Sequence, residues 1–336
     1  MNTRKSLAVF GSVAATALAL TACGGGAAGG AGDTRSLRLA LNQTEEHPSY
    51  VALENFGASL SDATGGRWDI DIYANETLGA QQEAIQLVSD GTVEMAIVSG
   101  TQLENLNEDF CVFNLPQVFD DVEHQMSVVG DEAITADLYS SLEDRKITVL
   151  GGFTQGARSI YNSEKPIETP ADLAGMKLRV QESKVHMLMI GAMGGSATPM
   201  AYGEVYTAMQ SGVLDGAENN EVSYLSQKHN EVAKYFSNTN HLVGLDYLVI
   251  NTDVLAGMSA ADRAAFDEKW DAAVVEHTGL WIAETEKAHT ALEAAGARFN
   301  DVDQDAFRSA LDPLINEYVT GETAQNLYAA TRAAAK

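Results

Sequence analysis

The chain has 336 residues, of which 47 are Asp or Glu and 21 are Lys or Arg, so its formal net charge is −26. This charge argues against nucleic acid or an anionic membrane surface as a partner. Hydrophobic residues make up 45% of the chain. The length and this fraction predict a globular protein of about two domains with a sizeable core.

The amino-terminal segment predicts a bacterial lipoprotein signal peptide at residues 1–22. A positively charged start precedes an apolar stretch at 7–20, which is too short to span a membrane. The sequence Leu20-Thr21-Ala22-Cys23 resembles a lipoprotein processing site, so we expect Cys23 to be lipidated and residues 23–36 to form a Gly-rich tether. A plain secretory signal with an incidental cysteine is the alternative. Lipidation would leave Cys111 without a partner for an intrachain disulfide.

Strands and helices alternate in the part of the chain that follows. The predicted strands are 37–42, 68–73 and 93–98, and the helices between them are 50–62 and 81–89. This alternation predicts an α/β fold with a parallel sheet covered by helices. Ligands bind beyond the carboxyl ends of such strands, and His47 lies on the loop after the first strand. A lone loop histidine is more often solvated than functional, so His47 does not define a site by itself.

A second lobe follows a flexible joint. The predicted strand 147–150 runs into Gly151-Gly152, and a helix–glycine–strand pattern at 84–96 recurs at 205–217. The repeated pattern supports two similar lobes. We expect lobe I to contain residues 37–151 and about 243–280, and lobe II to contain residues 152–242 and about 281–336.

A long helix is predicted from Ser259 to about residue 296, with a capping pattern at Ser259 and Asp262. At 1.5 Å per residue its length would be roughly 55 Å, which exceeds one small domain. We therefore expect it to span both lobes. Three aspartates after this helix resemble the start of a calcium loop, namely Asp301, Asp303 and Asp305. Ala306 and Asp312, however, occupy the positions where such loops need glycine and glutamate. We interpret the three aspartates as solvated helix caps, and no metal or cofactor is predicted.

Arg179 is the main candidate for a binding residue, because it lies in a short apolar strand between Leu178 and Val180. A buried arginine is costly unless an anion compensates its charge. The guanidinium group matches a carboxylate with two parallel hydrogen bonds. Arg179 therefore either holds a structural acid or receives the carboxylate of a ligand, and the residues alone leave both interpretations open.

At Arg158, Arg179 and Asn219 the chain resembles a solute-binding protein of the TRAP (tripartite ATP-independent periplasmic) transporters, a family typified by four-carbon dicarboxylate binders. The resemblance runs from about residue 37 to residue 251. Its motifs here are Leu78-Gly79, Leu115-Pro116 with Phe119, the block 166–179, and the block 204–212 that continues into Asp215-Gly216-Ala217-Glu218-Asn219.

The resemblance implies a periplasmic-binding-protein-like α/β fold, in which two lobes joined by hinge strands and a long spanning helix close on a ligand. It also implies that Arg179 grips a ligand carboxylate, assisted by Arg158 and Asn219. Many members have proline after Glu-Asn, whereas this chain has Asn220-Glu221. That variant, together with Glu46-His47-Pro48, resembles members that bind hexuronates and related sugar acids. His47, Glu46 and Gln155 are candidates for hydrogen bonds to the hydroxyl groups of such a ligand.

These observations predict a binding protein rather than an enzyme. We expect an extracytoplasmic, lipid-anchored monomer that captures an organic acid, with a hexuronate or related sugar acid favoured, and delivers it to TRAP permease subunits in the membrane. A dicarboxylate-binding TRAP receptor is the main alternative, and a receptor of an ATP-driven transporter is another. An extracytoplasmic enzyme acting on sugar acids is the remaining alternative, but no G-x-S-x-G, H-E-x-x-H or paired-cysteine metal pattern supports it.

Overall fold

The computed structural model describes residues 34–335. The predicted signal peptide, Cys23 and most of the predicted tether lie outside the described residues. Within residues 34–335, no helix combines the length and apolar character needed to cross a membrane. Cys111 is buried in this part of the chain and forms no disulfide there.

Residues 34–335 form an α/β structure of nine strands and twelve α-helices. The strands are β1 Arg35–Ala40, β2 Trp68–Tyr73, β3 Met95–Ser99, β4 Ile147–Asn162, β5 Lys177–Val180, β6 Ser196–Pro199, β7 Gly216–Asn219, β8 Tyr235–Asn251 and β9 Arg298–Asn300. The helices are α1 Pro48–Thr64, α2 Gln81–Ser89, α3 Gly100–Leu103, α4 Val122–Val129, α5 Glu132–Ser140, α6 Lys184–Ala192, α7 Val205–Gln210, α8 Glu221–Ser226, α9 Thr252–Ala256, α10 Ala260–Ala294, α11 Gln304–Tyr318 and α12 Glu322–Ala333.

The strand order is β2-β1-β3-β8-β4-β7-β5-β6, with β9 beside β8. In lobe I, β1 pairs in parallel with β2 and β3, and in lobe II, β5 pairs in parallel with β6 and β7. The long strands β4 and β8 are antiparallel to each other, and each also pairs antiparallel with one lobe's parallel strands. Each lobe therefore has three parallel strands, and β4 and β8 pass from one lobe to the other.

The helix–glycine–strand repeat occupies corresponding places in the two lobes. Gly91 follows α2 before β3, and Gly212 follows α7 before β7. Both glycines have positive φ angles, 71° and 74°. A left-handed residue at the end of a helix is a conformation that glycine adopts without a steric penalty from Cβ. The same local chemistry thus turns the chain from helix to strand in both lobes.

The joint predicted at Gly151-Gly152 lies inside β4, which continues from Ile147 to Asn162 without ending there. The pairing of β4 with β8 shifts register between Val149 and Gly152, and Gly151 has a φ of 89°. A Cβ atom at Gly152 would overlap with the carbonyl oxygen of Asp246 on β8. The glycines therefore permit a bulge and a close approach of two backbones where the strands cross between the lobes.

Helix α10 spans both lobes, as predicted. It has 35 residues and packs against α1 in lobe I and α8 in lobe II. Ser259 caps it by accepting a hydrogen bond from the backbone N–H of Asp262. Its Trp270 donates a hydrogen bond to the backbone carbonyl of Leu150, at the start of the crossing in β4. The helix is therefore fixed to the region that joins the lobes.

The carboxyl-terminal helix α12 packs on lobe I, whereas residues from about 281 to 336 were expected in lobe II. Ala324 and Leu327 of α12 are buried in the lobe I core. The backbone carbonyl of Thr331 lies 2.8 Å from Nε2 of His124. Helix α11 packs instead against α6 of lobe II, and Asp303 caps it by accepting from the N–H of Ala306, as interpreted.

Candidate functional site

The cleft between the lobes is lined by residues at the carboxyl ends of the parallel strands, as the α/β pattern predicts. From lobe I, Asn42 follows β1, Glu76 follows β2 and Ser99 ends β3. From lobe II, Gln181 follows β5 and Asn219 ends β7. The crossing strands β4 and β8 add three further lining residues, which are Gln155, Arg158 and Asp246.

Arg158 is held by an acid of its own lobe. It is 3% exposed, and its Nε and Nη2 atoms donate to the two carboxylate oxygens of Glu218 at 2.6 and 2.7 Å. Nη2 also donates to the backbone carbonyl of Glu218 at 2.8 Å, and Nη1 donates to Oδ1 of Asn219 at 2.7 Å. Four of the five guanidinium N–H groups are thus used, which leaves one on Nη1.

Two histidines complete the surroundings of Glu218. Nδ1 of His186 lies 3.6 Å from one carboxylate oxygen, and Nε2 of His241 lies 3.5 Å from the other. Burial acts to raise the pKa of Glu218, but the charge and hydrogen bonds of Arg158, together with the nearby imidazoles of His186 and His241, hold it well below its usual value. Glu218 is therefore an ionised, buried partner that fixes Arg158 and, through it, Asn219.

Arg179 has no such partner. It is 4% exposed, and its Nε and Nη2 atoms both donate to the backbone carbonyl of Met200, at 2.9 and 2.8 Å. Within residues 34–335, the ion pairs of arginine involve Arg38, Arg67, Arg158, Arg263 and Arg332, but not Arg179. Burial lowers the pKa of Arg179, and the more distant Glu218 carboxylate offsets this only in part.

The free side of the Arg179 guanidinium faces a site for an acceptor. Three of its five N–H groups, two on Nη1 and one on Nη2, make no hydrogen bond within residues 34–335. The ring of Tyr202 lies 5.6 Å from Cζ and helps to fix the group in place. The sequence left two interpretations of Arg179 open, a structural acid or the carboxylate of a ligand. The described part of the chain contains no acid paired with Arg179, which favours the second interpretation.

Several amide side chains line the same cleft with polar atoms that have no hydrogen-bond partner within residues 34–335. These atoms are Oδ1 of Asn42, Oε1 of Gln43, Oε1 of Gln102 and Nε2 of Gln155. All four side chains are buried. Both acceptors and donors are therefore available, which is the set that a ligand rich in hydroxyl groups needs.

Of the predicted site residues, the structure brings Arg158, Arg179, Asn219 and Gln155 together in the cleft, but not His47 or Glu46. His47 caps α1 through Nδ1, which accepts from the N–H of Ser49 at 3.2 Å. Its ring lies 5.6 Å from that of Trp281, and burial lowers its pKa to about 3. Glu46 is exposed to solvent and does not line the cleft. The tight turn before Pro48 directs His47 into the protein rather than toward the strand ends.

Direct hydrogen bonds cross the cleft between the lobes. A carboxylate oxygen of Glu76 accepts from the N–H of Gly203 at 3.0 Å, and Nδ2 of Asn105 donates to the backbone carbonyl of Glu182 at 3.0 Å. Burial raises the pKa of Glu76, although the Gly203 hydrogen bond acts in the opposite direction. Residues 34–335 are therefore in a closed arrangement, with contacts that would separate if the lobes opened.

Glu76 and Asp246 line the cleft but were not among the predicted site residues. Glu76 follows β2 at a strand end, and this position is the signal that could have identified it. Asp246 lies within β8, a long and almost entirely buried strand that was not among the predicted elements. An acid inside a buried apolar strand is the same kind of signal that identified Arg179.

Comparison with known proteins gives consistent matches. The family model described as bacterial extracellular solute-binding protein, family 7 (DctP) matches residues 39–321. The C4-dicarboxylate-binding periplasmic protein DctP of Rhodobacter capsulatus is 32% identical over 275 residues, 81% of each chain.

Solved structures of TRAP periplasmic solute-binding proteins are also similar. One from Anaerococcus prevotii with bound D-glucuronate has a TM-score of 0.87 and 34% identity, covering 89% of this chain and 97% of that one. One from a Bradyrhizobium species in complex with D-galacturonate has a TM-score of 0.86 and 31% identity, covering 89% of this chain and 100% of that one.

The buried pair of Arg158 and Glu218 generates a stability prediction. Glu218→Ala leaves the guanidinium of Arg158 buried without its acid, so we expect a loss of about 3–5 kcal/mol in the free energy of unfolding. Urea unfolding of the ligand-free protein measures it. Glu218→Gln keeps the volume and some hydrogen bonds and should lose less.

A matched control for this variant is Asp253→Ala, because the ion pair of Asp253 with Lys146 is exposed on both sides. Exposed pairs of this kind contribute little, so its unfolding curve should match that of the wild type. Equal unfolding midpoints for Glu218→Ala and Asp253→Ala would contradict the structural role of Glu218.

Proposed function

Because the chain belongs to family 7 of the bacterial extracellular solute-binding proteins, the receptors of TRAP transporters, we propose that it captures a hexuronate such as D-glucuronate or D-galacturonate. The chain is thus an extracytoplasmic binding receptor and not an enzyme. The ligand would enter the cleft while the lobes are apart and would be enclosed when they close. The permease in the membrane would then receive it.

The observation that carries the proposal is the state of Arg179. Its guanidinium group is buried, makes no ion pair within residues 34–335, and keeps a pair of N–H groups on Nη1 and Nη2 free. A carboxylate of the ligand would accept both of these hydrogen bonds and would compensate the buried charge. Because β5 and the Met200 carbonyl fix the guanidinium plane, this contact is organised before the ligand arrives.

The charges of the cleft favour one carboxylate on the ligand rather than two. Arg158 is already neutralised by Glu218, so Arg179 is the one arginine of the cleft that remains uncommitted within residues 34–335. A second ligand carboxylate would lie buried without a cation of its own, which is costly. The free amide atoms around the cleft would instead bind hydroxyl groups. A hexuronate has one carboxylate and several hydroxyl groups, whereas a four-carbon dicarboxylate carries two carboxylates.

The other predicted site residues have supporting roles in this proposal. Arg158, on the crossing strand β4, and Asn219, at the end of β7, line the same cleft as Arg179. The remaining N–H of Arg158 and the amide of Asn219 would assist the carboxylate contact. Gln155 on β4 would donate from Nε2 to a hydroxyl group. The proposal does not use His47 and Glu46, because neither lines the cleft.

The lipid anchor remains part of the proposal on the basis of the sequence alone. Leu20-Thr21-Ala22-Cys23 and the Gly-rich segment after it support a lipidated Cys23 with a flexible tether. A tether of this kind would keep the receptor close to its permease while allowing it to bind and release. We also expect the receptor to act as a monomer.

The first prediction from this proposal concerns Arg179→Lys. Lysine retains the positive charge but lacks the planar pair of donors, so D-glucuronate should bind about 2–5 kcal/mol more weakly, or roughly thirty- to several-thousand-fold. Isothermal titration calorimetry measures the change, and succinate and malate serve as test dicarboxylates. Wild-type protein should bind the hexuronates more tightly than either dicarboxylate.

Arg263→Lys is the matched control, since Arg263 forms a surface ion pair with Asp267 on α10. This control should bind D-glucuronate like the wild type. Near-normal affinity in Arg179→Lys would contradict the proposed carboxylate contact. Tighter binding of succinate or malate than of any hexuronate would instead support the dicarboxylate-binding alternative.

The second prediction concerns the anchor. Wild-type protein should fractionate with membranes, and Cys23→Ser should remain unprocessed or be released in soluble form, because serine cannot carry the thioether-linked lipid. Cell fractionation and the mass of the mature protein measure these outcomes. Cys111→Ser serves as the control and should fractionate like the wild type. Wild-type protein found wholly in the soluble fraction would contradict lipidation.

A further inference from the structure

Asp246 is an acid of the cleft that the proposed carboxylate contact does not use. It lies on β8, where its backbone pairs with Ser99 of β3 and Phe153 of β4. The side chain is 4% exposed and lines the cleft beside Arg158 and Gln155. Within residues 34–335, no group donates a hydrogen bond to its carboxylate. The acid is therefore buried with its acceptor positions open to the cleft.

The charged groups around Asp246 do not form a structural ion pair with it. Arg158, the cation that acts on it, already donates to Glu218 and Asn219. Tyr202 of lobe II and Glu76 of lobe I are further titratable groups that line the same cleft. Burial raises the pKa of Asp246 to about 7, and Arg158 offsets this effect only in part.

The carboxylate of Asp246 does not contribute to the stability of the fold through any contact described above. The strand pairing of β8 uses the backbone of Asp246, which any residue would supply. A buried acid whose pKa is raised destabilises the folded state once the pH exceeds its ordinary pKa, because ionisation is then easier in the unfolded chain. A side chain that costs stability and lines a binding cleft is typical of a functional residue.

We propose that the Asp246 carboxylate accepts a hydrogen bond from a hydroxyl group of the ligand and thereby selects hydroxylated monocarboxylates over dicarboxylates. This inference rests on the proposed function, because it assumes that the ligand carboxylate is held by Arg179. An ionised carboxylate only accepts hydrogen bonds, so it pairs with a hydroxyl donor and repels a second carboxylate. Asp246 is thus a specificity-determining residue that acts from the crossing strand.

The proposed contact with Asp246 makes the affinity for a hexuronate depend on pH. A hydroxyl group that donates to Asp246 favours the ionised form, so ligand binding lowers the pKa of this residue. Hexuronate affinity should therefore be constant above about pH 7 and should fall below it, by at most tenfold per pH unit. The pKa of Glu76 is also raised by burial, so the assignment to Asp246 requires a variant.

The test is Asp246→Asn, studied by calorimetry with D-glucuronate and succinate between about pH 5.5 and 8.5. At pH 8 the variant should bind D-glucuronate roughly ten- to a hundredfold more weakly, which is the usual effect of losing a hydrogen bond to a charged group. The decline in affinity below pH 7 should be smaller than in the wild type. Succinate should bind no more weakly than to the wild type, since a negative charge has been removed.

The ligand-free variant provides a second measurement. Because the neutral amide removes a buried charge, the melting temperature of Asp246→Asn at pH 8 should exceed that of the wild type. Asp144→Asn is the matched control: Asp144 is exposed, and the same substitution there should change neither affinity nor melting temperature.

Three outcomes would overturn the inference. Wild-type affinity and pH dependence for D-glucuronate in Asp246→Asn would show that the carboxylate does not contact the ligand, while the proposed function would stand. A lower melting temperature of the ligand-free variant would indicate a structural role. If wild-type protein binds no hexuronate at any pH in this range, the proposed function fails and the inference fails with it.

Discussion

The burial of two guanidinium groups beside one cleft is the constraint on which the rest of the structure depends. Arg158 and Arg179 are almost equally inaccessible, at 3% and 4% exposure. Only Arg158 is compensated within residues 34–335, by Glu218. Since an uncompensated buried charge is unfavourable, the protein retains at Arg179 an electrostatic cost that a carboxylate removes. In the proposed function, the carboxylate of the ligand is the partner that completes this ion pair.

The architecture places Arg179, which has no ion-pair partner within residues 34–335, where the lobes meet. Parallel strands of both lobes end at the cleft, and β4 and β8 carry Arg158 and Asp246 across it. The hydrogen bond that Glu76 accepts and the one that Asn105 donates join the lobes around the cleft. A ligand held by both lobes and by the crossing strands therefore favours the closed form in proportion to its differential affinity for that form.

Much of this arrangement could be predicted from the sequence. The alternation of strands and helices predicted the fold class, and the capping pattern at Ser259 with the long helical composition after it predicted the spanning helix. Arg179 was identifiable because a charge in an apolar strand requires an explanation. The partner of that charge was not predictable, since the absence of a nearby acid is a property of the tertiary structure.

Other features could not be read from local patterns. His47 follows the first strand, but the turn before α1 buries it as a helix cap, which no spacing rule reveals. Helix α12 was expected in lobe II, but the contacts of Thr331 and Leu327 place it on lobe I, and these contacts are a property of the tertiary structure. Asp246 was not predicted as a site residue because β8 was not among the predicted elements. The argument that identified Arg179, the cost of burying a charged group in an apolar strand, applies to Asp246 as well.

The central claim is that Arg179 exists to bind a ligand carboxylate, and one substitution in the ligand tests it most directly. D-glucuronamide has the shape and hydroxyl groups of D-glucuronate, but a neutral amide replaces the carboxylate. Calorimetric titration of wild-type protein with both compounds compares them without altering the protein. The account predicts that the amide binds roughly thirty- to several-thousand-fold more weakly, because the buried guanidinium remains uncompensated. Equal affinities for the acid and the amide would contradict it.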